Sequence, residues 1–331
     1  MRAVATGEAG ADMIPQLDVA PLFGPPGAAR DATDAAILAA ATTAGFLVVG
    51  GLPPTGIDAA ARRTLLDVFA LPAPARTGLL RQKFEPANAN VYRGMFPVQH
   101  GTPTRKEGYD LGPDVAHGAR VVRHDDPLCE ATPLPDPALL PGWHEAAART
   151  YGAMEGVAAA LMRALARGLG LAETTFDDAF RGGVSTLRLL RYPGDADGSG
   201  LIGEPHVDSG FLALLAQDAT PGLEARAGNG WTPVPPAEGR LAVNFGRLLE
   251  RWTGGRIRAT EHRIVATGAE RFSIPFFYEP RVDAEIAPLP LASAAPFAPF
   301  LYGDHVWAAM CRFIEFEGLE PLRPRSRIGL T

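Results

Sequence analysis

Two periods of apolar residues run through the chain. Spacings of three and four mark helices in the first half. The longest such run, Trp143 to Leu171, carries Met154, Val157, Leu161, Leu165 and Leu169 on one face. Ile57 to Ala70 repeats the pattern with Ile57, Leu65, Leu66 and Phe69, and stops before Pro72. Asp31 to Ala44 predicts a further helix, with Asp31 placed to cap it and Gly45 to end it. Short apolar runs predict strands at Ile14 to Val19 and at Phe46-Leu47-Val48-Val49, the latter buried between Gly45 and Gly50-Gly51. Residues 84–142 are rich in Pro, Gly and Asp and weakly periodic. They read as a long excursion with short strands, a feature usually tied to function or motion.

The pattern changes near Gly182. Val184 to Tyr192, Pro205 to Gln217, Leu223 to Arg226, Leu241 to Phe245, Thr260 to Ala266 and Arg271 to Tyr278 all read as strands, with Gly and Pro turns between them. Such a succession predicts a sandwich or jelly roll. A helix over Asp304 to Phe316 follows. The basic tail with Arg323, Arg325 and Arg327 is expected to be solvated, or to cover a pocket mouth. The expected fold is mixed α/β, mainly β, over one unit, 1–331. In it a helix and strand region (1–182) packs on a barrel core (183–290), and a C-terminal helix and tail (291–331) close the chain.

Composition narrows the chemistry. The 331 residues would suit two domains by length, but barrel folds often exceed 200 residues as one unit. Gly 37 and Pro 31 mean many turns without reaching the range of disorder. A net charge of −6 argues against general nucleic-acid binding. Two cysteines, Cys129 and Cys311, exclude a disulfide framework and a zinc site built on thiolates. Any metal must therefore be held by His and carboxylates. Met1 to Met13 lacks the apolar core of a signal peptide. No apolar stretch is long enough to span a bilayer. A cytoplasmic location with no membrane partner is the expectation, and no internal repeat stands out.

His206-Val207-Asp208 is the first candidate metal pair. Residues two apart on a strand face the same way, so the imidazole and the carboxylate can aim at one point. With seven histidines and 37 acidic residues such a pair arises readily by chance, and His124-Asp125-Asp126 is a second one. That pair lies in a polar loop and is assigned to solvent. His206 and Asp208 enter an apolar strand, and His262 stands in another, Thr260 to Val265. Two His and one carboxylate with open positions form the facial triad of non-haem Fe(II) oxygenases. The alternative is three unrelated side chains satisfied by hydrogen bonds.

Arg271-Phe272-Ser273 bears on that choice. Arg271 and Ser273 share a strand face, and an arginine pointing into a barrel is costly unless an anion meets it. A guanidinium matches a carboxylate through parallel hydrogen bonds, and a serine hydroxyl can add another. Tyr192 can supply a phenol. One dicarboxylate, with one end on iron and the other on Arg271, Ser273 and Tyr192, would satisfy all three, and 2-oxoglutarate has that shape.

Several segments are similar to the isopenicillin N synthase-like family of Fe(II)/2-oxoglutarate-dependent dioxygenases. These are Leu187 to Pro193, His206 to Leu212, Val243-Asn244-Phe245-Gly246, Leu248 to Thr253, Thr260-Glu261-His262-Arg263 and Arg271 to Phe277. The match is strong from about 184 to 290 and looser at Ile14 to Asp18 and Tyr92 to Pro97. The resemblance implies a double-stranded β-helix (jelly roll) flanked by helices. It implies iron ligation by His206, Asp208 and His262, and 2-oxoglutarate held by Arg271, Ser273 and Tyr192. With O2, it implies oxidation, expected to be hydroxylation, of a small molecule, and succinate and CO2 as co-products. Arg247, Gly50-Gly51 and Leu190 depart from common family residues. None touches the ligand set, but they bar the transfer of a known substrate.

The parity of Tyr192 puts Leu190, Arg188 and Thr186 on the inner face of their strand. Arg188 is then a second inward cation, about 13 Å from Tyr192 along the strand. It would meet an anionic or carbonyl group of the substrate, or else form a structural salt bridge. Tyr92, Arg93 and Phe96 in the excursion, and Phe211 and Phe277 beside the ligand motifs, are candidate pocket walls as well as candidate core. Two other functions fit the same residues: an Fe(II) oxidase of this fold that uses O2 without 2-oxoglutarate, and a metal-containing jelly-roll binding module without turnover. The oligomeric state is not legible.

Overall fold

The computed structural model describes residues 13–53, 57–99, 105–194, 200–292 and 295–323. Strand β1 (Gln16–Asp18), helix α1 (Ala28–Thr43), strand β2 (Phe46–Gly50), and helices α2 (Ala59–Leu66) and α3 (Ala73–Thr77) open the chain. Strands β3 (Gly94–Phe96) and β4 (Glu107–Leu111) and the short α4 (Asp114–His117) lead to α5 (Trp143–Gly168) and α6 (Asp177–Phe180). The strand-rich part holds β5 (Thr186–Tyr192), β6 (Leu201–His206), β7 (Leu212–Gln217), β8 (Leu223–Ala227), β9 (Gly230–Pro233) and β10 (Leu241–Phe245). Helix α7 (Arg247–Trp252), β11 (His262–Val265), β12 (Arg271–Tyr278), β13 (Glu285–Ile286), β14 (Phe300–Leu301) and α8 (Tyr302–Met310) complete it.

The strands form an eight-stranded sheet, β1-β2-β10-β7-β12-β5-β4-β3, and a four-stranded sheet, β6-β11-β8-β9. Together they make a jelly roll. Alternation along each strand divides its side chains between two cores. Leu187, Leu189, Leu214, Ile274 and Phe276 turn outward, into the larger core, where α5 and α1 pack. Phe46, Val48, Leu190, Tyr192, Leu223 and Ile264 belong to a smaller cluster whose members come from both sheets. The α5 stripe of Tyr151, Met154, Val157, Leu161 and Leu165 is buried. Tyr151 donates to the Ser185 carbonyl at 3.0 Å and meets Phe276 edge-on.

Two local expectations change. Pro205 to Gln217 is not one strand. The chain leaves β6 at His206, turns, and enters β7 at Leu212 in the other sheet. The excursion at 84–142 holds short strands as expected, β3 and β4, and they extend the edge of the large sheet, where β4 pairs with β5. Asp31 does not cap α1. Gly27 holds that position, and Asp31 lies in the first turn, where its charge suits the helix dipole. Gly45 does end that region, at φ +62. A Cβ there would overlap Thr260 Oγ1 and the Arg258 carbonyl. Glycine thus lets the segment leading to His262 lie against the end of α1, where Thr260 Oγ1 donates to the Ala44 carbonyl at 2.6 Å.

Candidate active site

The two histidines meet because their strands pair. His206, the last residue of β6, lies directly opposite His262, the first of β11. Their ring centroids are 4.3 Å apart. Asp208 joins them from the turn after β6, not from a shared strand face. That turn is held from behind: the Asp208 carbonyl accepts from Arg247 N at 2.8 Å and the Gly210 carbonyl from Leu248 N at 3.1 Å, at the start of α7. Gly246 makes the approach possible, since a Cβ on it would overlap Gly210.

The donor atoms are oriented as a metal needs. Asn244 Nδ2 donates to Asp208 Oδ2 at 2.7 Å. Asp208 Oδ1 faces His206 Nε2 at 3.7 Å and His262 Nε2 at 3.9 Å. Each Nδ1 points to a backbone carbonyl, Glu204 for His206 at 2.7 Å and Thr260 for His262 at 3.4 Å. A carbonyl can only accept, so the proton sits on Nδ1 and the Nε2 lone pair is free to ligate. Burial holds the His262 imidazole below its ordinary pKa, with Asp208 opposing. Burial works to raise the Asp208 carboxyl, but His262, His206 and the Asn244 bond outweigh it and hold it below the usual range. One ligand atom from each of the three residues lies within 4.8 Å of the others, and this is the one such group among the described residues. Neutral imidazoles and an ionised carboxylate are the donor set of a facial triad, so the residues fit Fe(II). His124 is an exposed loop residue outside this group.

A cavity of about 450 Å³ opens at the triad. Ser273 and Tyr192 line it, and register brings them to Arg271: β12 pairs Arg271 with Tyr192 across to β5, and Ser273 with Gln217 across to β7. Arg271 is 1% exposed and its Cζ lies 5.3 Å from the Tyr192 ring centroid. Arg271 Nη2 donates to Gln217 Oε1 at 3.3 Å, while Nε and Nη1 are buried with no partner. A fully buried cation with two idle donors is strongly disfavoured unless an anion completes it. The far carboxylate of 2-oxoglutarate is such an anion, so this end of the cavity fits the co-substrate.

The remaining candidates divide. Thr186, Arg188, Leu190 and Tyr192, of one parity, all line the cavity, as do Tyr92 and Phe277. Arg188 also forms the salt bridge that was its alternative: Asp110 takes its Nε at 2.5 Å and its Nη2 at 2.8 Å. Arg93, Phe96 and Phe211 are not on that wall. Arg93 is fully buried and donates to Thr186 Oγ1 at 2.6 Å and the Val184 carbonyl at 2.8 Å, tying the excursion to β5. Phe96 packs under the guanidinium groups of Arg81 and Arg188. Phe211 is wedged among Phe180, Trp252 and Tyr302. The tail is not solvated at Arg323, which is buried between Asp126 and Asp304, while Arg325 and Arg327 lie outside the described residues. Gln217 as the partner of Arg271, the orienting role of Asn244, Glu279, and the wall formed by Met310 and Arg312 to Phe316 are not among the residues the sequence points to. For Asn244 the motif Val243 to Gly246 was a signal. The others left none.

The fold and the site define a class, the Fe(II)/2-oxoglutarate oxygenases, and comparison with known proteins agrees. The model of the 2OG-Fe(II) oxygenase superfamily matches residues 183–280. The 2-oxoglutarate-Fe(II) type oxidoreductase hxnY of Emericella nidulans is 31% identical over 290 residues, covering 81% of this chain and 80% of that protein. Isopenicillin N synthase of Streptomyces clavuligerus is 27% identical over 288 residues, 83% of this chain and 87% of its own length. Among solved structures, a full-length Neurospora crassa protein in complex with alpha-KG and 5-formyluracil superposes with a TM-score of 0.78 at 25% identity, over 94% of this chain and all (100%) of that one. The chain belongs to the 2OG-Fe(II) oxygenase superfamily, as an isopenicillin N synthase-like member. It is an oxidoreductase that uses Fe(II), 2-oxoglutarate and O2. Among the described residues no helix is long and apolar enough to cross a membrane.

Proposed function

We propose that His206, Asp208 and His262 hold the iron, that Arg271, Ser273 and Tyr192 receive the far carboxylate of 2-oxoglutarate, and that the enzyme hydroxylates a small molecule in the rest of the cavity. The observation that carries this is Arg271, with two buried nitrogens that lack a partner, next to Tyr192 and Ser273, which line the cavity. Iron, 2-oxoglutarate and O2, when bound, would supply the oxidising chemistry, one oxygen atom going to succinate and one to the substrate, with CO2 released. The chain supplies orientation. Asn244 fixes the Asp208 carboxylate, Gln217 braces Arg271, and the Tyr192 hydroxyl and Ser273 Oγ complete the cradle. Apolar walls from Phe46, Leu190 and Phe277 keep water from the reacting centre. Tyr92, Arg188 and Phe277 are the substrate-facing residues in this reading. The Neurospora crassa protein, crystallised with alpha-KG and 5-formyluracil, supports a compact organic substrate.

We read 1–331 as one catalytic unit, because β2 lies between β1 and β10, and β4 lies beside β5. The net charge of −6 favours a small-molecule partner over nucleic acid. The free, buried thiols of Cys129 and Cys311 suit the reducing cytoplasm. Arg271→Leu tests the reading. Removing one partner of a buried charge pair costs about 2–5 kcal/mol. The 2-oxoglutarate needed for half-maximal succinate formation is expected to rise at least about tenfold, and an unchanged requirement would sink the carboxylate assignment.

A further inference from the structure

Among the described residues, the cavity wall contains one buried acidic group with no task in this scheme. Glu279, just after β12, is 7% exposed and lines the cavity. Its Oε2 is buried with no hydrogen-bond partner. The other buried or half-buried charged side chains of that wall are matched: Asp110 holds Arg188 through two nitrogens, Glu315 holds Lys106 at 3.3 Å, and Asn244 donates to Asp208. Around Glu279, Arg93 is nearby: its Nη1 and Nη2 donate to Thr186, Val184 and Leu128, its Nε is buried without a partner, and no ion pair joins it to Glu279 among the described residues. The Tyr302 hydroxyl beside it is a neutral donor to this carboxyl group and offsets the burial of its charge only in part. Gly210, on the same wall, leaves room at the other oxygen, since a Cβ there would come within 3.3 Å of Glu279 Oε1. A carboxylate so placed is costly until a donor meets it.

We propose that Glu279 sets substrate choice by accepting hydrogen bonds from a protonated amine on the primary substrate. This rests on the reading of the cavity as the substrate site. An ammonium group brings the opposite charge and three donors, and the apolar walls from Phe46, Leu190 and Phe277 suit the hydrocarbon that carries it. The charge expected of the substrate is thereby reversed. Arg188 had suggested an anion, but Asp110 already occupies two of its nitrogens.

The test is calorimetric titration of benzylamine and of benzoate into anaerobic enzyme loaded with Fe(II) and 2-oxoglutarate at pH 8, for the wild type and Glu279→Gln. Benzylamine is expected to bind the wild type at least about tenfold more tightly than benzoate, and most of that preference is expected to vanish in Glu279→Gln. Equal affinities, a preference for benzoate, binding of neither probe, or a preference that survives in Glu279→Gln overturns the proposal. The wild-type comparison stands even if the variant does not fold. The visible band of the Fe(II) and 2-oxoglutarate complex, recorded first, separates the two ideas. Its absence in the wild type defeats the proposed function and this inference with it. Its presence without an amine preference defeats the role of Glu279 alone.

Discussion

At the scale of single residues, the site is a set of buried groups that each need a particular partner. Inward charge was the legible signal. Arg271 and Ser273 could be singled out because a cation on an inner strand face demands an anion. Gln217 and Asn244 could not be given roles in the same way. Any strand carries amides, and only the folded chain shows which of them meets a carboxylate or a guanidinium. Arg93 illustrates the opposite error: a buried arginine whose acceptors are a threonine hydroxyl and backbone carbonyls serves the framework, not a ligand. Glu279 makes this scale testable. Burial pushes its carboxyl up to about 7, while the Tyr302 hydroxyl, Arg93 and Arg188 draw it down and Asp208 adds to the rise. The folded state therefore binds this proton more tightly than the unfolded chain does. Stability from this group is complete below the ordinary glutamate pKa and is lost as pH rises through about 7. Glu279→Gln mimics the protonated form. Relative to the wild type, its stability is expected to rise between pH 5 and pH 8, by up to about 3 kcal/mol in denaturant titrations. A difference that stays flat with pH would contradict the assignment.

At the scale of elements, the site is made by register. His206 opposite His262, Tyr192 opposite Arg271 and Gln217 opposite Ser273 are cross-strand pairs, and each brings together residues far apart in sequence. Period-two patterning revealed the face on which each residue lies but not its partner, because register is fixed by the packing of the whole sheet. The same limit explains why Pro205 to Gln217 read as one strand. Apolar alternation resumes at Leu212, while Ser209 and Gly210 mark the turn that sends the chain into the other sheet. Gly45 is the element-level feature most exposed to test. Its positive φ and the close approach of Arg258 and Thr260 both exclude a side chain. Gly45→Ala is expected to cost about 1–3 kcal/mol in denaturant titrations. It should also weaken iron binding in a chelator competition, because β11 begins two residues after Thr260. Wild-type iron affinity in the variant would show that this contact does not position His262.

At the scale of the whole molecule, the strand-rich part is completed by chain from before and after it. The shift from helical to strand patterning near Gly182 marks a change of class along the chain. Strands β1 to β4 lie in the same sheet as β5, β7, β10 and β12. The last described residues also turn inward. Met310 and Arg312 to Phe316 form part of the cavity wall, and Arg323 Nε reaches both oxygens of Asp126 at 2.9 Å while its Nη1 reaches Asp304 at 2.7 Å. Composition alone made these arginines look like a solvated tail, since nothing in a basic run tells which member finds a buried acid. Arg323→Ala leaves Asp126 buried without its cation and is expected to cost about 3–5 kcal/mol, seen as a lower Tm. An unchanged Tm would mean the tie is dispensable.

The most direct test of the central claim is the visible absorption of the anaerobic Fe(II) enzyme as 2-oxoglutarate is added. A weak charge-transfer band is expected in the wild type, together with its loss in His262→Ala. An iron-loaded wild-type enzyme that shows no band at saturating 2-oxoglutarate would contradict the assignment of this cavity as the site where iron and co-substrate meet.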